Sequence, residues 1–86
     1  MRTRRRTVTF LNRFTLEGLD GEQQPGTYIV VTDEEEIPGL SFAAWRRVET
    51  TLRVPAIELD TGTEQVVTID PEDLAAALAR DAGGAV

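Results

Sequence analysis

Apolar and polar residues alternate near the amino terminus with the period of two that is typical of a β-strand. Within residues 6–11, Val8 and Phe10 fall on one face and threonines fall on the other, as in a strand with one buried face. Phe14 and Leu16 resume the alternation a few residues later. The pattern predicts one bent strand or two short ones.

The next segments combine turn residues, a β-branched run and a run of acids. Residues 17–26 are rich in glycine and contain Asp20-Gly21, the strongest turn signal of the segment. Residues 27–32 are apolar on both faces, which predicts a central, well-covered strand. Residues 33–36 are four consecutive acids followed by a proline and a glycine, and they predict a solvated turn.

The segment 40–54 fits two structures. As a helix from Ser41, it has an apolar stripe formed by Phe42, Trp45, Val48 and Leu52. As a strand, it places Trp45, Arg47 and Arg53 on one face and Val48, Leu52 and Val54 on the other. Its β-branched residues favour a strand in the second half, while the first turn, residues 41–44, stays open to a helix.

The carboxyl-terminal third predicts a turn at residues 60–62, a short strand over residues 65–69 and then a helix. Asp70 suits the N-cap position and Pro71 the first helical position. The apolar face combines Leu74, Leu78, Ala75 and Ala82, and the chain leaves the helix at Gly83-Gly84.

These elements predict an α+β fold that is mainly β. We expect four to five antiparallel strands in a curled sheet or partly open barrel, with one carboxyl-terminal helix. We expect all 86 residues to form a single small domain, with residues 1–5 as a flexible basic arm and residues 83–86 as a flexible tail.

The net charge of −6 conceals an asymmetry along the chain. Residues 1–13 carry five arginines and no acid, whereas the remainder carries four arginines against 15 acids. A basic arm on an acidic body can contact nucleic acid, or it can pair with acids of its own chain or of a neighbour.

Histidine, cysteine and lysine are all absent, which removes most catalytic chemistry. The common general base near neutral pH, the thiolate nucleophile, the Schiff-base amine and the soft zinc ligands are missing. We therefore expect neither an enzyme nor a cofactor nor a metal site. No apolar run reaches the roughly 20 residues that span a bilayer, no secretory signal follows the first arginines, and we expect a cytoplasmic protein.

Three groups of residues are candidate sites. The acidic run 33–36 could bind a cation, but consecutive residues of an extended chain point to opposite faces, which favours a solvated turn. A pair of carboxylates could support acid and base chemistry, although a chain this small has little room for a pocket. Trp45, Arg47 and Arg53 form a candidate interaction surface; alternatively, Trp45 is half-buried core and the arginines pair with local acids.

The middle third resembles a group of small uncharacterised bacterial proteins. The resemblance rests on G-T-Y-x-V-x-T-D-E-E at residues 26–35 and on G-L-S-F-x-A-[YW]-R-R-V at residues 39–48. In that group tyrosine often stands at the position of Trp45. The resemblance implies a bacterial source and a compact domain, and it carries no activity or ligand.

The sequence thus favours a small non-catalytic protein-interaction module or a subunit of a larger assembly, with a protein partner or a second copy of itself. The first alternative is a nucleic-acid-binding module in which the amino-terminal arginines contact phosphates and Trp45 stacks on a base, although the acidic body makes nucleic acid an unfavourable partner. The second alternative is a carboxylate-based enzyme or a cation-binding protein.

Overall fold

One antiparallel sheet of four strands and a single helix make up the described structure, a computed structural model that covers residues 1–57, 59 and 62–83. The strands follow each other in the sheet in the order β1-β2-β3-β4. The elements are β1 (Arg2–Phe10), β2 (Gly26–Glu36), β3 (Trp45–Val54), β4 (Gln65–Thr68) and α1 (Pro71–Gly83). The α+β, mainly β fold class is confirmed, and the sheet is open.

The helix packs on one side of the sheet, here called the inner face, and leaves the other side, the outer face, uncovered. Cross-strand pairing sets the inner face, because Val8 lies opposite Tyr28 and Val30 opposite Leu52. The buried core lies between this face and α1, with Leu74 from the helix fully buried. The outer face is largely threonine around two half-buried aliphatic side chains, Ile29 and Val31.

An aromatic cluster closes the core at the end of β1. Phe10 stacks on Phe14, with ring centroids 3.6 Å apart, and the ring of Tyr28 meets both edge-on. The hydroxyl of Tyr28 donates a hydrogen bond of 2.5 Å to the carbonyl of Gln24. An isolated bridge between Phe14 and Gln23 holds the loop that follows β1 under the sheet. This cluster supplies much of the aromatic burial in a thin core.

Two predictions about the amino-terminal half are corrected. We expected residues 1–5 to be a flexible arm, but β1 begins at Arg2 and pairs along its whole length with β2. We expected residues 33–36 to be a turn, but they extend β2. All four pair with β3, the first two also pair with β1, and Arg2 and Arg46 form ion pairs with acids of this run. Residues 27–32 form part of the predicted central strand, although helix α1 covers only one of its faces.

The second half of the segment 40–54 is a strand, as predicted, and residues 41–44 are a loop without helix. A β-bulge interrupts β3, because Asp33 pairs with Glu49 and Glu34 with Arg47, which leaves Val48 without a partner. Val48 is consequently 52% exposed and not in the core. Residues 60, 61 and 84–86, which belong to the predicted turn at 60–62 and to the predicted tail, lie outside the described residues.

The predicted cap of α1 is present, since the carboxylate of Asp70 accepts a 2.8 Å hydrogen bond from the backbone N–H of Glu72. Leu74 is buried and Leu78 partly buried, as predicted. The predicted contribution of Ala75 and Ala82 is wrong, because both are exposed. Ala77 is buried in their place, since it lies three residues from Leu74 on the face toward the sheet.

Asp81, in the last turn of α1, fastens the helix to the end of β1. Its two carboxylate oxygens accept backbone hydrogen bonds of 2.8 Å from Leu11 and 2.9 Å from Asn12. The Asn12 side-chain amide donates a third, of 3.1 Å. These bonds, chiefly that of the Leu11 N–H, lower the pKa of Asp81, because they favour its charged form.

We therefore expect Asp81→Asn to lower the melting temperature at neutral pH, because an amide oxygen cannot replace both accepting oxygens. A lowered folded-state pKa stabilises the protein above the ordinary aspartate value, and that stability is lost as the pH falls through the folded value. The difference in melting temperature between wild type and variant should therefore shrink below about pH 4. Glu17→Gln, at an exposed carboxylate, is the matched control, and an equal loss there would contradict this role of Asp81.

Candidate functional site

The three residues predicted to share a surface are divided between the two faces of the sheet. Arg47 lies opposite Glu34 on the inner face, and Trp45, two residues earlier, lies opposite Glu36 at the same end of the sheet. Arg53 pairs with Ile29 and belongs to the outer face. The bulge at Val48 causes the division, because an extra residue in the strand reverses the alternation on either side of it.

Trp45 is held in place by a neighbouring arginine. The guanidinium of Arg2 lies 4.3 Å from the centre of the Trp45 ring, within the range of a cation–π contact. The same guanidinium donates a hydrogen bond of 2.9 Å from its Nε to the carboxylate of Glu34. Trp45 is half-buried, and one face of its ring is occupied by an arginine of its own chain.

Arg53 lines a separate depression on the outer face. Its Nε lies 3.4 Å from the Glu64 carboxylate, and the depression, of about 360 Å³, is bounded by Ile29 and by the chain after β3. Two exposed aliphatic side chains, Ile57 at 53% and Leu59 at 38%, border it. Arg53 is thus engaged locally and takes no part in the surface around Trp45.

The loop between β2 and β3 exposes large apolar side chains shortly before Trp45 in the sequence. A hydrogen bond of 2.9 Å from the N–H of Ile37 to the carbonyl of Ala44 closes the base of this loop. Phe42 is 67% exposed and Leu40 is 44% exposed. We call Leu40, Phe42 and Trp45 the tip patch, the large apolar side chains of this loop and of the first residue of β3, which Arg46 and Arg47 follow directly in sequence.

A second feature, the arginine groove, lies on the inner face of the sheet, next to the amino-terminal end of α1. Arg4, Thr32 and Thr50 lie in one cross-strand row of the sheet. Arg6 flanks this row on one side and Arg47 on the other, and the first turn of α1 forms a wall. The lining residues that carry the argument are Arg4, Arg6, Thr32, Glu34, Arg47 and Thr50, around a volume of about 470 Å³.

The groove exists because the helix covers only part of the inner face. The 13 residues of α1 span about 20 Å, whereas the nine residues of β1 extend for about 30 Å. Val8 and Phe10 are covered, and the arginines that precede them on the same face are not.

Sequence reasoning missed the groove, although a signal for it was present. The arginines at positions 2, 4 and 6 continue the even-numbered alternation of Val8 and Phe10, so the strand could have been extended back to Arg2. The contribution of Arg47 could not be found this way, because it depends on the bulge in β3.

No group of three or more histidine, cysteine, aspartate or glutamate side chains that could hold a metal ion occurs among the residues that the structure describes. Within the same residues, no helix has the length and apolar character needed to cross a membrane. Comparison with protein-family models, with curated proteins and with solved structures finds no match to this chain.

Proposed function

We propose that the protein is a small non-catalytic interaction module whose contact surface is the tip patch, Leu40, Phe42 and Trp45. The observation that carries the proposal is the 67% exposure of Phe42 on a loop that is closed at its base by a backbone hydrogen bond. Exposure of a large aromatic side chain to water is unfavourable, and its burial against a partner is therefore favourable.

The composition of the tip patch supports this role. Tryptophan and arginine are enriched among the residues that dominate binding energy, and aromatic residues in general are enriched in the centres of interfaces. Trp45 is positioned before any partner arrives, because Arg2 stacks on it and Glu34 orients Arg2. A side chain that is ordered in advance loses less conformational entropy on binding.

A second copy of the chain is the partner we propose first. The tip patch is followed directly by Arg46 and Arg47, while the chain as a whole carries a net charge of −6. The body of one molecule therefore offers acidic surface to the arginines of another, which favours encounter and orientation. Association also supplements a core that is thin in a domain of this size.

The nucleic-acid alternative has less support. Arg2 and its neighbours belong to β1 and do not form a free arm. One face of Trp45 is already covered by the Arg2 guanidinium, so a base stacking there would have to displace it. The net negative charge of the chain also repels the many charges of a nucleic-acid backbone at long range.

We expect Phe42→Ala to weaken self-association at least about tenfold, since central aromatic residues typically contribute more than about 1.4 kcal/mol to an interface. The melting temperature of the monomer should stay close to that of wild type, because Phe42 is exposed. Sedimentation over a range of protein concentrations measures the first quantity and thermal denaturation in dilute solution the second. Trp45→Ala should also weaken association and leave folding largely intact.

Leu11→Ala is the matched control, because Leu11 is 74% exposed and lies at the end of β1 next to α1, away from the loop. It should sediment like wild type. Equal weakening by Leu11→Ala would show that exposed apolar side chains associate without specificity. A wild-type protein that stays monomeric at all concentrations would exclude the second copy as the partner.

A further inference from the structure

The arginines of the groove outnumber the carboxylates that line it. Glu34, the one carboxylate that lines the groove, is paired with Arg2 at 2.9 Å, and the Nε of Arg4 lies farther away, at 3.9 Å. Within the described part of the chain, no ion pair or hydrogen bond engages the side chain of Arg6 or Arg47. The acids in the first turn of α1, Glu72 and Asp73, do not line the groove.

The floor of the groove contains a buried hydroxyl without a partner. Thr50 is 3% exposed, and its Oγ1 makes no hydrogen bond within the described structure. Its backbone carbonyl is already engaged, because it accepts a 2.9 Å hydrogen bond from Ile69. An unsatisfied buried hydroxyl costs stability, and this one belongs to a residue that lines the groove together with the arginines.

We propose that the arginine groove binds an oxyanion, with guanidinium donors from Arg4, Arg6 and Arg47 and the hydroxyl of Thr50 as an additional donor. The inference does not depend on the proposed self-association, which uses the tip patch. Guanidinium groups donate paired hydrogen bonds that match the oxygens of phosphate and carboxylate groups. The neutral residues Pro71 and Ala75 form the helical wall, so the helix does not repel an anion within the groove.

Phosphate is the oxyanion that the groove fits best. A phosphate group has more acceptor oxygens than a carboxylate and carries up to two negative charges near neutral pH. Four arginines and two threonines line the groove, and the guanidinium groups of Arg4, Arg6 and Arg47 alone offer more donors than the two oxygens of a carboxylate can use. The ligand class is therefore a terminal phosphate group, either as inorganic phosphate or as the monoester of a small molecule.

The test is a titration with inorganic phosphate at constant ionic strength, followed by ¹⁵N NMR of the backbone. We expect saturable shifts centred on Thr32, Thr50 and Arg47. Arg6→Gln and Arg47→Gln should each weaken the apparent affinity about tenfold, because each removes a charge-assisted hydrogen bond. Arg80→Gln removes the same charge outside the groove and should change the affinity less than about twofold.

Thr50→Val separates a binding role from a structural one. Valine has nearly the same shape and no unsatisfied hydroxyl, so the melting temperature without phosphate should rise by a few degrees, while the phosphate affinity falls. A rise in stability with unchanged affinity would remove Thr50 from the site. Absence of saturable shifts in the wild type, or equal weakening by Arg80→Gln, would overturn the proposal.

Two further titrations decide the ligand class. Succinate at the same ionic strength should bind more weakly than phosphate, and tighter binding of succinate would make the groove a carboxylate site. A single-stranded oligonucleotide should cause no chemical-shift changes that depend on Arg47, which means none that disappear in the Arg47→Gln variant. If the oligonucleotide causes such a change and inorganic phosphate causes none, the groove is a nucleic-acid surface and the proposal is wrong.

Discussion

Phe10→Ala is expected to lower the free energy of unfolding by about 3–5 kcal/mol, the range for aromatic truncation in a core. Phe10 is 1% exposed and stacks on Phe14 with an interplanar angle of 11°. Removing its ring leaves a cavity and also takes away the stacking and edge-on contacts of the aromatic cluster. The total free energy of unfolding of a small domain is about 5–15 kcal/mol. Urea denaturation of the variant should therefore show that a substantial fraction is unfolded at low urea concentration.

The neighbouring residue provides the control for this prediction. Leu11 is 74% exposed, and only its backbone N–H contacts Asp81. Leu11→Ala keeps that hydrogen bond and should change the free energy of unfolding by less than about 0.5 kcal/mol. If the two substitutions cost the same, the alternation of β1 is inverted and the described core is wrong.

Leu52→Ala is expected to destabilise the protein by about 2–5 kcal/mol, through lost burial and an unfilled cavity. Leu52 has no exposed surface and lies in the centre of the sheet, between Val30 of β2 and Val67 of β4. Chemical denaturation followed by circular dichroism measures the loss.

Val48→Ala, in the same strand, tests the bulge that separates the two residues. An unbroken strand would place Val48 on the same face as Leu52, because they are four residues apart. The bulge instead leaves Val48 52% exposed, so its truncation should cost less than about 0.5 kcal/mol. A loss comparable to that of Leu52→Ala would mean that β3 is regular and that Trp45, Arg47 and Arg53 share one face after all.

The sequence predicted some residues of the candidate surfaces and not others. Trp45 and Arg47 were selected from residue type and alternation, and they do lie at the same end of the sheet. Arg53 was assigned to the same face on the assumption of a regular strand, which the bulge violates. The exposure of Phe42 was not anticipated, because its spacing from Trp45 equally fits a helical core stripe.

The sequence by itself determined the elements whose signals are local. Alternation over Val8 and Phe10 and the Asp70 cap before Pro71 specify backbone geometry within a few residues. The fold class follows, because strands with short connections and one terminal helix have few ways to bury their apolar faces.

Tertiary structure alone decided which residues meet. The bulge at Val48 arises from the register in which β3 pairs with β2, and this register has no signature in the sequence of β3 alone. The acids of residues 33–36 are strand and not turn, because β3 supplies backbone partners to all four, β1 supplies them to the first two, and both strands supply arginines. The arginine groove likewise depends on where α1 ends over the sheet, which is set by the burial of Leu74 and by the hydrogen bonds of Asp81 to the end of β1.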